Sequence, residues 1–202
     1  MPFIEYKLTS DILYLGDRSK GGIFKPCVYT IPFSQISGAL NSKFGLKEVK
    51  AVGYLLNNSG FNRRDYLIYS PRDRNSGTSK VPLQVEFITN VMGKVFILKN
   101  NETKKFPERF EISMGGLRSK GFGRCYMAKQ QMLQESEVAK GELNVRIPLE
   151  EQSTFNIRKV ERPVYGYLFK PIPNTFTGNY VLSVFEGSEV IAPKFLVKDE
   201  RR

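Results

Sequence analysis

The chain has 202 residues, enough for one large domain or two small ones packed together, and 41% of them are hydrophobic, which excludes a disordered tail. Lysine and arginine total 31 against 20 acidic residues, a net charge of +11, and a domain this basic points to phosphates, with nucleic acid the commonest such partner. Histidine is absent, which removes any mechanism that needs an imidazole, and the only cysteines, Cys27 and Cys125, form no CxxC pair and read as small buried residues rather than a zinc site or disulfide framework.

The opening MPFIEYKLTSDILYLGD lacks a basic stretch followed by an unbroken apolar run. No segment reaches the roughly 18 apolar residues of a membrane span, so a cytoplasmic protein without membrane contact is expected. Residues 3–15 mix β-branched, aromatic and aliphatic types, and Tyr6, Leu8, Ile12 and Tyr14 share one parity with Ser10 as the exception, which predicts a strand with one buried face. A polar, glycine-bearing turn follows at 16–22, and a second short strand fits 27–30. Phe33, Ile36, Leu40 and Phe44 then recur at helical spacing, with Ser34 as the expected N-cap and Gly45 as the expected C-cap. Gly38 inside that helix suggests the close approach of another backbone.

Residues 49–56 read as a strand. The stretch 57–80 differs in kind: it holds five Arg or Lys, two Gly and four Asn around a short apolar island at 66–69, which predicts an exposed hairpin or partly mobile loop. Residues 83–89 and 94–98 look like two strands joined at Asn90-Val91-Met92-Gly93, and the helix signal after them is weak. Residues 126–140 carry helix formers without a coherent apolar face. The segments 143–149, 154–160, 164–169, 180–185 and 189–197 all read as strands, so many short strands accompany one or two helices and the architecture is α+β or mostly β. Composition shifts near 125–142, where a second lobe is expected to begin.

The ten residues Gly115-Gly116-Leu117-Arg118-Ser119-Lys120-Gly121-Phe122-Gly123-Arg124 carry most of the functional information. They place four glycines and three cations in one loop, followed by Cys125-Tyr126-Met127, which can re-enter a sheet. Glycine lets main chain approach a ligand and present its N–H groups, while Arg118, Lys120 and Arg124 can neutralise phosphates. Phe122 can wedge into the fold or stack on a base. The spacing is neither a P-loop, since no GK[ST] closes it, nor a GxGxxG opening a helix. A solvated glycine-rich turn has the same composition, and composition leaves both readings open.

The run GGLRSKGFGR resembles the glycine-rich loop of the RAMP superfamily, ferredoxin-like proteins that bind CRISPR RNA. A second stretch is similar too: Ile31, Pro32, Ser34, Gly38, Ala39 and Leu40 stand where that family often shows IP-x-S-x-x-x-G-A-L at a helix start. The likeness covers about residues 1–127, and the rest of the chain matches no pattern we can name. It implies an α+β fold: a ferredoxin-like (RRM-like) RAMP domain over 1–127 with the excursion at 57–80, and a β-rich C-terminal lobe over 128–202, which would be a degenerate second ferredoxin-like lobe or another β-rich portion.

Within that family some subunits polymerise along the guide RNA, some cut its precursor and some cap its five-prime repeat tag. The resemblance leans to the capping kind, because 78 residues (202 minus 124) follow the glycine-rich loop and because IPFSQISGAL lacks the glycine that backbone types often place after the proline. The function so implied is non-catalytic binding of guide RNA (crRNA) in an antiviral ribonucleoprotein, with the large subunit and backbone RAMP subunits as partners, target nucleic acid reached through the complex, and no cofactor or metal. Gly115, Gly116, Arg118, Ser119, Lys120, Gly121, Phe122, Gly123 and Arg124 would lie against the RNA backbone, with Ser34 and Lys43 on the predicted helix beside them. Arg63, Arg64, Arg72, Arg74 and Lys80 would form a second basic contact. Tyr66 and Tyr69 are read as core residues ahead of base-stacking ones. Asp17 is read as a turn residue ahead of a catalytic aspartate. The alternatives are a RAMP ribonuclease or backbone subunit using Asp17 or a Tyr/Lys-based site, and an unrelated basic RNA-binding β-rich domain.

Overall fold

The structure, a computed structural model, describes residues 2–16, 22–57, 60–73, 75–133, 137–172, 175 and 177–198. In chain order its elements are β1 (Phe3–Leu13), β2 (Phe24–Lys25), β3 (Thr30–Ile31), the helix α1 (Phe33–Phe44), β4 (Ala51–Leu55), β5 (Arg63–Tyr69), β6 (Leu83–Leu98), β7 (Arg109–Ser113) and β8 (Arg124–Leu133). The C-terminal part adds β9 (Val138–Glu142), β10 (Ile147–Pro148), β11 (Lys159–Arg162), β12 (Tyr165–Pro171), β13 (Gly178–Val184) and β14 (Glu189–Pro193). The protein is thus mostly antiparallel β, with α1 the single α-helix among the described residues.

An eight-stranded sheet runs β3-β4-β6-β1-β8-β7, with β2 and β5 also paired to β6. Strand residues alternate between its faces, and here both faces are buried. Ile4, Tyr6, Leu8, Ala51, Val95 and Ile97 belong to one core with Ile36 and Leu40 of α1. Their sequence neighbours Phe3, Val52 and Phe96 belong to a second core, built mainly from residues 143–196. Together with β9, that C-terminal segment forms two three-stranded sheets, β10-β13-β12 and β11-β14-β9. The second core is tied to the large sheet by aromatic contacts, Phe3 stacking on Phe155 at 5.8 Å and Phe96 meeting Phe195 at a tilt at 4.5 Å. Fully burying each such ring contributes about 1.5–3 kcal/mol.

Several sequence expectations change on contact with the fold. Ser34 lies inside the first turn of α1 rather than capping it. The cap is Pro32, whose extended backbone leaves its carbonyl to accept from Gln35 and Ile36, while Gly45 closes the helix in the left-handed conformation as expected. A Cβ added at Gly38 would have nothing within 4 Å, so no backbone approaches it. Of the strand expected at 27–30 only Thr30 lies in one, β3; Cys27 forms an isolated bridge with Gly16, and β2 precedes the expected stretch. Residues 83–98 form one continuous strand, because β1 pairs with β6 from Ile88 to Leu98, across the expected break at 90–93, and Asn90 absorbs the local kink at φ +51°. The far edge of β6 is divided between β4 and β5, and the Asn62 side chain stitches the junction through Leu56 O (2.7 Å) and Met92 O (2.9 Å). The excursion at 57–80 is therefore a hairpin arm, β5 folding back on the first half of β6. Residues 126–133 are strand, since pairing with β1 and β7 outranks helix propensity. Residues 154–156 turn rather than extend, and β10, β11 and β14 are shorter than the sequence suggests.

Candidate nucleic-acid interface

The glycine-rich loop joins β7 to β8 and is clamped onto the end of β1. Gly116 N–H donates to Tyr14 O (2.9 Å), Gly123 N–H to Ile12 O (3.0 Å) and Met114 N–H to Gly123 O (2.9 Å). A side chain would not fit at these places: a Cβ on Gly115 would lie 2.4 Å from Tyr14 O and one on Gly123 2.0 Å from Met114 O, and both residues have positive φ. Gly121 also has positive φ but faces open space. Three of the four glycines thus let the loop press on its neighbours, Gly116 against the Tyr14 ring, and several N–H groups expected to face a ligand are engaged internally, Lys120 and Gly121 included. Phe122 is a core anchor rather than a stacking ring: it is buried and meets Phe87 edge-on at 5.2 Å.

What the clamp leaves outside is a 3-10 turn, Arg118–Lys120, whose side chains are exposed. Among the described residues Arg118 has no acidic partner. Lys120 lies over the Tyr69 ring at 4.6 Å, which connects the turn to the hairpin arm. Arg124 sits exposed at the start of β8 and pairs with Glu111 (3.2 Å); a hydrogen bond with Tyr126 and the Glu111 charge hold its guanidinium above the usual range.

On its other side the loop borders an open cleft of about 830 Å³. Gly115, Gly116 and Arg118 form one wall, Ser34, Gln35, Gly38 and Ser42 of α1 a second, and Arg146, Tyr167, Phe169 and Thr175 of the C-terminal part a third. The structure therefore brings Ser34 to the glycine-rich loop. Lys43, exposed in the last turn of α1, is not among the cleft residues.

The hairpin cations are dispersed. Arg63 and Arg64 start β5, six residues and so about 20 Å from Tyr69 at its far end. Arg64 donates to Tyr29 Oη (2.6 Å), sits 4.5 Å over the Tyr29 ring and pairs with buried Glu86 (3.0 Å). Burial and the Glu86 charge push the Tyr29 phenol up to about 12, while the hydrogen bond to Tyr29 raises the guanidinium further. Near the arm's tip Arg72 is exposed, and Lys80 pairs with Asp73 at 2.9 Å. Tyr66, expected in the core, is 47% exposed. Arg74 and Asp17 lie outside the described residues. Sequence reasoning missed Arg146, Tyr167 and Phe169. The alternation of Tyr165, Tyr167 and Phe169 is the signal that could have found the aromatic wall, since it predicts one aromatic face on a strand.

Fold and site together define a β-rich module with a cationic loop beside an open cleft. No protein-family model and no curated protein matches the sequence. Solved structures do match by shape. One is a chain in the cryo-EM structure of the Type III-B Cmr-beta bound to cognate target RNA, at 11% identity and a TM-score of 0.61 over 93% of this chain and 86% of that one. Another is a chain of the same assembly bound to cognate target RNA and AMPPnP, at 11% identity and a TM-score of 0.55 over 95% and 86%. The chain thus has the fold of subunits of CRISPR Cmr-beta complexes. Among the described residues no helix is long and apolar enough to cross a membrane.

Proposed function

We propose that this chain is a non-catalytic, guide-RNA-binding subunit of a CRISPR effector complex, holding the five-prime repeat tag and contacting the large and backbone subunits. The observation that carries this reading is the exposed Arg118–Lys120 turn, presented by a loop whose glycines are packed against β1, in a fold shared with Cmr-beta subunits. Strand order supports the RAMP comparison. The run β4-β6-β1-β8 is antiparallel throughout, and with α1 between β1 and β4 it follows a ferredoxin-like plan. On this reading the second helix of that plan is replaced by residues 99–108 and the edge strand β7. The rigid clamp fixes where the cations stand, so phosphates meet a preorganised charge rather than a loop that must first order. The non-catalytic part of the reading rests on the sequence, which offers no histidine for general acid–base cleavage of RNA.

The test is binding and integrity of a labelled repeat-tag RNA, with the wild-type chain and Arg118→Glu/Arg124→Glu, with and without divalent metal. Intact RNA, bound by the wild type and weakened at least tenfold by the double change, is the expected result (about 1.4 kcal/mol). Cleaved RNA would place the chain among the nucleases. RNA bound equally by both proteins would remove the loop from the interface.

A further inference from the structure

We propose that the outward face of the β12–β13 hairpin is a platform on which bases of single-stranded RNA stack while the glycine-rich loop holds the adjoining backbone. This rests on the RNA-binding reading above and assigns the contact made by the bases. In β12, Tyr165, Tyr167 and Phe169 share one face, and the register sets Tyr167 opposite Leu182 and Phe169 opposite Tyr180. The reverse face carries Leu168 and Ser183, both buried in the protein. A sheet face turned to water ordinarily carries polar residues. Here Tyr165 is 56% exposed, Tyr167 62% and Tyr180 51%.

The platform and the cationic turn face the same opening, since Tyr167 and Phe169 line the cleft with Gly115, Gly116 and Arg118. Phe169 and Tyr180 already meet edge-on at 5.7 Å, which holds both rings in place. Successive rings on one strand face lie about 6.6 Å apart, room for one base over each.

Charge and chemistry favour RNA over a protein as the occupant. No acidic side chain is among the described cleft residues, and Arg118 supplies a cation without an acidic partner there. Gln35, also in the cleft, keeps a buried Oε1 with no hydrogen-bond donor among the described residues, and a base amino group or ribose hydroxyl can supply one. Aromatic rings accept any base face, whereas the cation reads only the backbone.

The test compares two labelled probes on the full chain: a decaadenylate, and an abasic ribose–phosphate strand of the same length. Tyr167→Ala/Tyr180→Ala is expected to weaken decaadenylate binding by about tenfold or more and to leave the abasic strand within about twofold of wild type. Tyr167→Phe/Tyr180→Phe, which keeps the rings, should bind both probes as wild type does. Unchanged decaadenylate binding by the alanine variant, or equal loss on both probes, overturns the platform. So does a wild-type chain that self-associates through this face, seen as a dimer lost in the alanine variant with RNA affinity intact. If Arg118→Glu weakens both probes while the tyrosine changes do nothing, the platform alone fails. If the wild type binds neither probe, the RNA reading fails with it.

Discussion

Replacing Gly123 by alanine probes the clamp that presents the cationic turn. At φ +81° an alanine is strained by about 1–2 kcal/mol. Its Cβ would also stand 2.0 Å from the Met114 carbonyl oxygen, a backbone atom that cannot rotate away. Relief requires the β7 and β8 ends to separate, which strains the Met114–Gly123 and Gly123–Ile12 hydrogen bonds, each contributing about 0.5–1.5 kcal/mol. The expected cost is about 4 kcal/mol, a large part of the ~5–15 kcal/mol that holds a typical domain together. Gly121→Ala is the control: its φ is +86°, but nothing lies within 4 Å, so only the strain of about 1–2 kcal/mol remains. At about 2–4 °C per kcal/mol for a chain of this size, the melting temperature should fall about 8–16 °C for Gly123→Ala and about 2–8 °C for Gly121→Ala. Urea unfolding followed by circular dichroism checks the free energies independently. Equal midpoints for the two variants would refute the argument that contact, rather than backbone conformation, demands glycine at 123.

Phe122→Ala should destabilise the fold by about 3–5 kcal/mol in urea while leaving RNA affinity per folded molecule unchanged, because its ring packs on Phe87; a binding defect without a stability loss would restore it as a stacking ring. Glu86→Ala leaves the buried Cys27 N–H without its 2.9 Å acceptor and Arg64 without its carboxylate, so a loss of about 2–4 kcal/mol is expected, smaller for Glu86→Gln, which still accepts. At the hairpin tip, hydrogen bonding from Lys80 and from the Ser76 and Asn75 amides holds the Asp73 carboxyl down at about 2. A depressed carboxyl stabilises the fold above its unfolded value and loses that contribution as pH falls, so tip order persists through pH 4 and disappears near pH 2. Proton–nitrogen correlation spectra of the Asn75 and Ser76 amides read that midpoint, and a value near 4 would sink the assignment.

The sequence showed most where local chemistry is decisive. The extended conformation of β1, the α1 spacing with Gly45 as its stop, and the return of Cys125-Tyr126-Met127 to a sheet are all local patterns, and each survives in the fold. The single buried face expected of β1 does not, because the C-terminal part covers its other face and buries Phe3. Failures came where a distant partner decides. Nothing near Asn90 announces that β1 runs opposite both halves of β6, and helix formers at 126–133 yield to neighbours up to about 130 residues away in sequence. The glycines illustrate the same limit at the site. Composition identified a loop that needs glycine, but not that Tyr14 and Met114, rather than a ligand, impose the need. The third wall of the cleft was hidden because Tyr167 and Phe169 come to share a cleft with Arg118 only through tertiary packing of the C-terminal sheets.

Net charge overstates what an RNA strand would meet, because many cations are already partnered. Arg64 faces Glu86, Lys80 faces Asp73 and Arg124 faces Glu111, so releasing any of them to a phosphate first breaks an ion pair. Of the nominated cations, Arg118, Lys120, Arg63, Arg72 and Lys43 have no acidic partner among the described residues. Those five together would contribute a slope of about −3.5 in log salt, at roughly −0.7 per neutralised phosphate, of which the turn supplies about −1.4. Arg63 stands about the length of β5 from Lys120, so a strand that engages both must run along the hairpin arm. A slope near the smaller value therefore places the RNA at the cationic turn, and one near the larger value places it along the arm as well. The geometry that ties charge to position is the clamp at Gly115 and Gly123, which is why the stability of that loop and the salt dependence of binding test a single arrangement from two directions.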